Sequence, residues 1–290
     1  MKKLSFIYVA VLLTAFAGCK KKSDDSSGGT KKAAASVKKD LGFDPQVTVS
    51  VNMASLKKTP FYGLFKKQIM KKIKVECAKE LINDISKIFF VGRDFKGKGK
   101  PSVYAAIAGV DADKLMKCAQ KEGKDKQKMG KFKGKEAMII EEDGQKTFVF
   151  KGSAKNVVVV TGEAGKNVKP GEGTFGKGDI SKFVGSKSLS FNVKGVDDKF
   201  SAVSGYVDFS SGLKADVAVE MKEVKAAEKM AKQFEMGKAM MAGKPEIKKL
   251  IEKIDFSQSG KSIKVKTDLS EDDLKKVMKM AGPMMGKALR

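Results

Sequence analysis

Short stretches in which apolar and polar residues alternate recur along this chain of 290 residues. The first runs from Val47 to Val51, and two more, at 137–142 and 146–150, flank the dipeptide Asp143-Gly144. Alternation with a period of two is typical of strands with one buried face, and Asp-Gly is a strong signal for a tight hairpin. The sequence therefore predicts antiparallel sheets built as meanders.

Helical periodicity interrupts these strands. Apolar residues recur at steps of three and four after Pro60, again over 222–241, and once more after Ser270, where Asp273 takes the position of the usual Glu in a capping box. The predicted class is α+β, with antiparallel meander sheets and helices packed on one face. Residues 110–115 and 269–274 both pass from a strand through an acidic cap into a helix rich in Lys and Met, which suggests two similar halves; coincidence would account for the similarity nearly as well.

The N-terminus carries a different pattern. Two lysines follow Met1, an apolar run extends from Leu4 to Ala17, and Gly18 and Cys19 come next. The run is shorter than the roughly 20 residues that a transmembrane helix needs, and its basic start and small final residues are typical of a secretory signal.

This segment resembles the signal of bacterial lipoproteins, in which small residues precede an invariant cysteine. The resemblance implies that Cys19 is lipidated and becomes the mature N-terminus, and that three acyl chains anchor the protein stably in a membrane. Because Lys20 is not the Asp that marks inner-membrane retention in enteric bacteria, the resemblance also implies the periplasmic face of the outer membrane. The mature body resembles uncharacterised bacterial lipoproteins only in this general pattern.

The composition divides the chain into four segments. We expect a signal peptide at 1–18 and a flexible, basic, lipidated linker at 19–40, which has almost no large apolar residue to bury. A first α+β half should cover 41–170 and a second 171–290, with a boundary in the stretch rich in Gly and Lys around Pro170.

Two further cysteines, Cys77 and Cys118, both lie in helical patterns. In an exported protein such a pair predicts a disulfide bond, here one that joins two helices. A reactive thiol pair is the other interpretation, but it would call for a closer cysteine spacing or a neighbouring histidine, and the sequence has neither.

The net charge is +25, yet Arg93 and Arg290 are the only arginines. A strongly basic protein in the cytoplasm would suggest nucleic-acid binding, but arginine leads base and phosphate recognition and the signal sequence predicts export. The expected partners are therefore the lipid bilayer, through the acyl anchor, and anionic components of the envelope, with no nucleic acid. The protein partner is open.

The chain contains no histidine, which excludes imidazole catalysis and imidazole metal sites. The segment Gly171–Gly176 fits the pattern GxGxxG, but it does not follow a strand directly, and Pro170 precedes it. We predict no catalytic residue, no cofactor and no metal site. The expected function is non-enzymatic binding or scaffolding by a membrane-anchored envelope protein; a carrier of lipid or another hydrophobic ligand that uses the Met-rich C-terminal helices is the main alternative, and a hydrolase without histidine is a distant third.

Overall fold

The computed structural model describes residues 37–59, 62–63, 66, 70, 76–95, 100–122, 127–153, 155–195, 199–241 and 245–277. The predicted signal peptide, Cys19 and nearly all of the linker lie outside these residues. So do most of the helix expected after Pro60 and the end of the C-terminal helix.

Among the described helices, none combines the length and the apolar character that crossing a bilayer requires.

Twelve strands form one sheet, and every neighbouring pair is antiparallel. Together with the helices this confirms the α+β class. The order across the sheet is β11-β12-β10-β9-β8-β1-β2-β3-β7-β6-β5-β4. The strands are β1 Val47–Asn52, β2 Lys87–Arg93, β3 Ser102–Ala108, β4 Gln127–Phe132, β5 Lys135–Glu142, β6 Gln145–Lys151, β7 Asn156–Thr161, β8 Leu189–Lys194, β9 Phe200–Asp208, β10 Leu213–Met221, β11 Ile254–Ser259 and β12 Ser262–Leu269.

The helices lie in the connections between strands, and most of them are short. In chain order they are α1 at 37–41, α2 Met53–Leu56, α3 Glu76–Asp84, α4 Ala112–Glu122, α5 Gly162–Asn167, α6 Gly173–Gly176, α7 Val224–Met241, α8 Pro245–Ile251 and α9 at 271–277.

The sheet carries a hydrophobic core on each of its two faces. Face A is the side on which Phe90 lies, and α3 and α4 pack there. Face B is the side on which the neighbouring residue Phe89 lies, and it is covered by α1, α5, α6 and the segment 180–184. The expectation that helices pack on one face is therefore wrong for the first seven strands. The physical reason is visible in β2, where the four consecutive residues Ile88–Val91 are all apolar and both faces need cover.

The body of the protein begins earlier than the composition suggested. Val37 and Leu41 of α1 are fully buried in the face B core, beside Phe43. Asn167 at the end of α5 donates a hydrogen bond from Nδ2 to the carbonyl oxygen of Leu41, at 2.8 Å. Residues 37–40, expected to belong to the linker, are thus part of the folded body.

The strand order runs outward from the contact between β1 and β8. On one side it reads β1, β2, β3, β7, β6, and on the other β8, β9, β10, β12, β11, with the hairpin β4–β5 extending the first side. The segment 171–188, expected in the second half, packs on face B of the first seven strands through Phe175, Phe183 and Val184. It therefore belongs structurally with the first side of the sheet.

Candidate functional site

Cys77 and Cys118 are joined by a disulfide bond, which confirms the pairing expected from the sequence. The sulfur atoms are 2.01 Å apart and the two Cα atoms are 5.8 Å apart. Cys77 lies near the start of α3 and Cys118 near the end of α4, so the bond links two helices that pack side by side on face A.

The surroundings of this bond are apolar. Cys118 is buried, and the core around the two helices includes Leu81, Leu115 and Met116. Cys77 is partly buried and packs against the same core, so the disulfide is placed to stabilise the fold, whereas a reactive thiol pair would need an exposed, electropositive setting.

A group of polar side chains, with Ser188 buried at its centre, lies where β1 meets β8. The hydroxyl of Ser188 is 2.8 Å from the hydroxyl of Ser55 and 3.3 Å from Oδ1 of Asp208, and it accepts a hydrogen bond from the backbone amide of Phe209 at 3.0 Å. Lys187 Nζ donates to Oδ2 of Asp208 at 3.2 Å. These contacts join α2, the segment before β8 and the end of β9, which no sequence motif links.

A serine, a lysine and a carboxylate in one cluster invite comparison with a hydrolase. Ser188 has no exposed surface, so a substrate cannot reach its hydroxyl. Burial raises the pKa of Asp208, but hydrogen bonds from the Ser210 amide and from Lys187 outweigh that effect and bring the pKa below its usual value. The Asp208 carboxylate is therefore held charged beside the Lys187 ammonium group, and the geometry fits a structural network.

The glycine pattern at 171–176 is closed upon itself by backbone hydrogen bonds. The amide of Gly171 donates to the carbonyl of Gly176 at 3.0 Å, and a Cβ atom on Gly176 would lie 1.7 Å from the carbonyl oxygen of Lys169. The Phe175 ring between them is buried, and its carbonyl accepts a hydrogen bond from the Tyr104 hydroxyl at 3.0 Å. Glycine is required here for close backbone packing, and the loop presents no cradle for a phosphate.

Helix α7 has one side on the sheet and one side in solvent. Ala227 is buried against β10 and β12, and Phe234 stacks on Phe256 of β11 with ring centroids 4.3 Å apart. Val224, the first residue of the helix, is 41% exposed, whereas Met230 and Phe234 pack on the sheet as the predicted helical periodicity over 222–241 requires.

The outer side of α7 carries two methionines without cover. Met236 is 59% exposed and Met240 is 85% exposed. A shallow, open depression of about 350 Å³ lies along this side, and its lining is mostly charged or polar: Lys225, Glu228, Lys229, Lys232, Gln233 and Met236. This is not the enclosed apolar cavity that a carrier of hydrophobic ligands requires.

The remaining candidates from the sequence fall into two groups. Cys19 and the methionines at 278, 280, 284 and 285 lie outside the described residues. In the part of the chain that the structure describes, no group of three or more Cys, Asp or Glu side chains is arranged to hold a metal ion. Plotting residues 224–241 at 100° intervals places Lys225, Lys229 and Lys232 on one side of α7 with Met236 and Met240. The plot does not show that these methionines are exposed, so the sequence pattern alone does not identify this side as a site.

Comparisons with protein-family models, with curated proteins and with solved structures give no match to this chain.

Proposed function

We propose that this chain is an exported, lipid-anchored protein of a bacterial cell envelope, whose body binds or scaffolds other envelope components and does not catalyse a reaction. Cys19 would carry the acyl chains, and the periplasmic face of the outer membrane would be its location. The observation that carries the proposal is the disulfide bond between Cys77 and Cys118, and it agrees with the signal pattern that ends at Cys19.

The disulfide supports export because such bonds persist in oxidising compartments and are rare in the cytosol. It is independent of the N-terminal pattern, since the two lie in separate parts of the chain. Both features point to the same compartment, and their agreement is stronger support than either of them gives alone.

The architecture supports a passive role. Ser188 and Asp208 of the polar network are buried, and the glycine loop at 171–176 is filled by its own backbone and by Phe175. A broad sheet with two apolar cores is a rigid scaffold from which surfaces can be presented.

The proposal includes two similar halves. β1, β2, β3, β7 and β6 have the same connectivity as β8, β9, β10, β12 and β11, and in each set a helical connection, α4 or α7–α8, follows the third strand on face A. The equivalence suggested by the sequence was a different one, because 110–115 follows the third strand of its set whereas 269–274 follows the fifth.

The test is to produce the full chain in a bacterium that processes lipoproteins and to measure the mass of the mature N-terminal peptide. We expect residues 1–18 to be absent and Cys19 to carry acyl chains. The variant Cys19→Ser should remain unacylated, whereas the double variant Cys77→Ser/Cys118→Ser serves as the matched control and should be acylated normally.

A second measurement on the same material is peptide mapping without reduction, which should recover residues 77 and 118 in one linked peptide. A product that retains Met1, lacks acyl chains and has both cysteines as free thiols would refute export and anchoring together.

A further inference from the structure

The outer side of α7 holds an unusual combination of exposed groups. Four large apolar side chains are substantially exposed in the described part of the chain, and three of them, Val224, Met236 and Met240, lie on this helix. Single exposed apolar residues are common on protein surfaces, but two methionines four residues apart form a continuous apolar strip.

Exposed lysines precede these methionines along the same side of the helix, in a regular pattern. Lys225, Lys229 and Lys232 are exposed, and with Met236 and Met240 they follow steps of four, three, four and four residues. At 100° per residue these five side chains fall within an arc of about 80°. We call them the α7 stripe.

The acidic residues of the helix lie outside this arc. Glu228 and Glu235 are exposed on one flank of the stripe, at about 40° and 60° from its nearest edge. No acidic residue of α7 lies within the stripe, so its charge is +3. Separation of cations and apolar groups from acids on one helix surface is typical of helices that lie in a membrane interface.

We propose that the α7 stripe docks on the anionic surface of a lipid bilayer, with Met236 and Met240 among the acyl chains and the three lysines on the headgroup phosphates. The inference rests on the proposed lipid anchor, which keeps the body beside a membrane. Anionic phosphate headgroups match the charge of the stripe, and flexible thioether side chains pack readily into irregular apolar surroundings.

Docking would fix the orientation of the folded body on the membrane, which the anchor alone does not do. Cys19 is separated from the buried residue Val37 by 18 residues of sequence, which can span at most about 65 Å. An anchor of that reach holds the body near the bilayer but does not decide which face meets it. A helix of 18 residues, about 27 Å long, lying on the surface would fix the orientation.

The chain offers a matched control surface. Helix α4 carries Lys114, Lys117 and Lys121, all exposed, and none of the substantially exposed large apolar side chains of the described chain lies on it. It therefore has the same number of lysines as the α7 stripe without the methionines.

The experiment places an environment-sensitive fluorophore on the acylated full chain in vesicles, at Ala239→Cys beside the stripe or at Lys117→Cys on α4. Quenching by nitroxide-labelled lipids is measured in vesicles of phosphatidylglycerol and phosphatidylethanolamine and, separately, of phosphatidylcholine. We expect strong quenching at position 239 in the anionic vesicles only, reduced by 0.5 M salt, and little quenching at position 117 in either.

Variants separate the two components of docking. Lys225→Gln/Lys229→Gln/Lys232→Gln and Met236→Gln/Met240→Gln should each reduce quenching at position 239 by roughly half or more, because each lysine near an anionic surface and each buried methionine contributes to binding. Glutamine preserves helix propensity, and the triple variant Lys114→Gln/Lys117→Gln/Lys121→Gln should leave the signal unchanged.

Equal quenching at both positions, or none at position 239, would overturn the proposal. Shielding of position 239 from aqueous iodide in the absence of vesicles would also overturn it, because the stripe would then be covered by another copy or by the chain's own C-terminal segment. Acylation is measured on the same sample by mass, so failure of the proposed anchor can be told apart from failure of the stripe. If the protein lacks acyl chains, the anchor is refuted. Its binding to added vesicles, and the effect of the variants on that binding, still test the stripe.

Discussion

The two sides of the sheet, β1–β7 and β8–β12, differ in how many of their faces are covered. On the first side both faces are buried, and β7 accordingly contains the unbroken apolar run Val157–Val160. On the second side face A packs under α7, while face B carries exposed residues such as Lys214 and Lys264. The corresponding strand β12 alternates apolar and polar residues.

The comparison teaches that the same connectivity can be used for a three-layer and a two-layer arrangement. What decides between them is whether additional segments reach face B, as α1, α5 and α6 do on the first side. Apolar area removed from water is the main stabilising contribution, so the first side should dominate stability and the second should open more easily.

Replacing one core phenylalanine on each side tests this directly. Phe89 is fully buried on face B and stacks on Phe183 at 4.9 Å, whereas Phe256 on β11 is half-buried. Phe89→Ala should lower the free energy of unfolding by about 4–5 kcal/mol, and Phe256→Ala by about 2 kcal/mol, because the latter leaves a smaller cavity. Urea unfolding measures both; equal losses would show that the second side is packed as tightly as the first.

The disulfide reinforces the first side alone, since both cysteines lie between β1 and β4. It closes a separation of 41 residues, for which the chain-entropy estimate is about 4 kcal/mol. We expect Cys77→Ala/Cys118→Ala to lower the unfolding free energy by up to that amount and to accelerate hydrogen exchange in β2 and β3 more than in β10 and β12. Uniform acceleration would mean that the two sides unfold as one cooperative unit.

The network around Ser188 joins the two sides. Ser188→Ala removes the partner of the Ser55 hydroxyl and of the Phe209 amide and should cost about 2 kcal/mol, because buried polar groups lose their hydrogen bonds. Ser190→Ala, which lies in β8 two residues further along the chain, is the control and should cost under about 0.5 kcal/mol. The midpoint of urea unfolding measures the loss of stability in both variants. Similar losses in Ser188→Ala and Ser190→Ala would show that the network around Ser188 does not hold the two sides together.

Much of the sheet could be predicted from the sequence, because alternation and turn residues are local. The hairpin at Asp143-Gly144 and the strand at 47–51 are confirmed, with Asp143 and Gly144 both at positive φ as the tight turn requires. The strand β4 was missed because Lys128, Gly130 and Lys131 dilute its alternation, and its place at the edge of the sheet permits that composition.

Non-local features could not be predicted in the same way. The pairing of β1 with β8 depends on contacts between residues more than 130 positions apart, and no local pattern specifies it. Helices α5 and α6, which cover face B, lie in the stretch that the sequence predicts as a boundary between halves, because both are short and rich in glycine. The buried residues Phe175 and Phe183 are the signal that this stretch packs in a core. At the candidate site, the methionines of α7 were noted but their exposure was not, because amphipathicity alone does not say which apolar residues a short sheet can cover.

The smallest expected effect concerns α9, at the far end of the second side. Lys253 and then the hydroxyl and amide of Ser270 bind the carboxylate of Asp273 and lower its pKa to about 2. The pKa of an Asp in an unfolded chain is about 3.9. This carboxylate therefore contributes stability that is complete above about pH 4 and is lost as the pH falls through about 2. Asp273→Asn should therefore lower Tm at pH 6 and lose most of that difference by pH 2, whereas Asp272→Asn, at an exposed position paired with Lys275, should change Tm little at any pH. A Tm difference for Asp273→Asn that stays constant from pH 6 to pH 2 would show that the cap acts through packing and that its charge does not contribute to the stability of the second side.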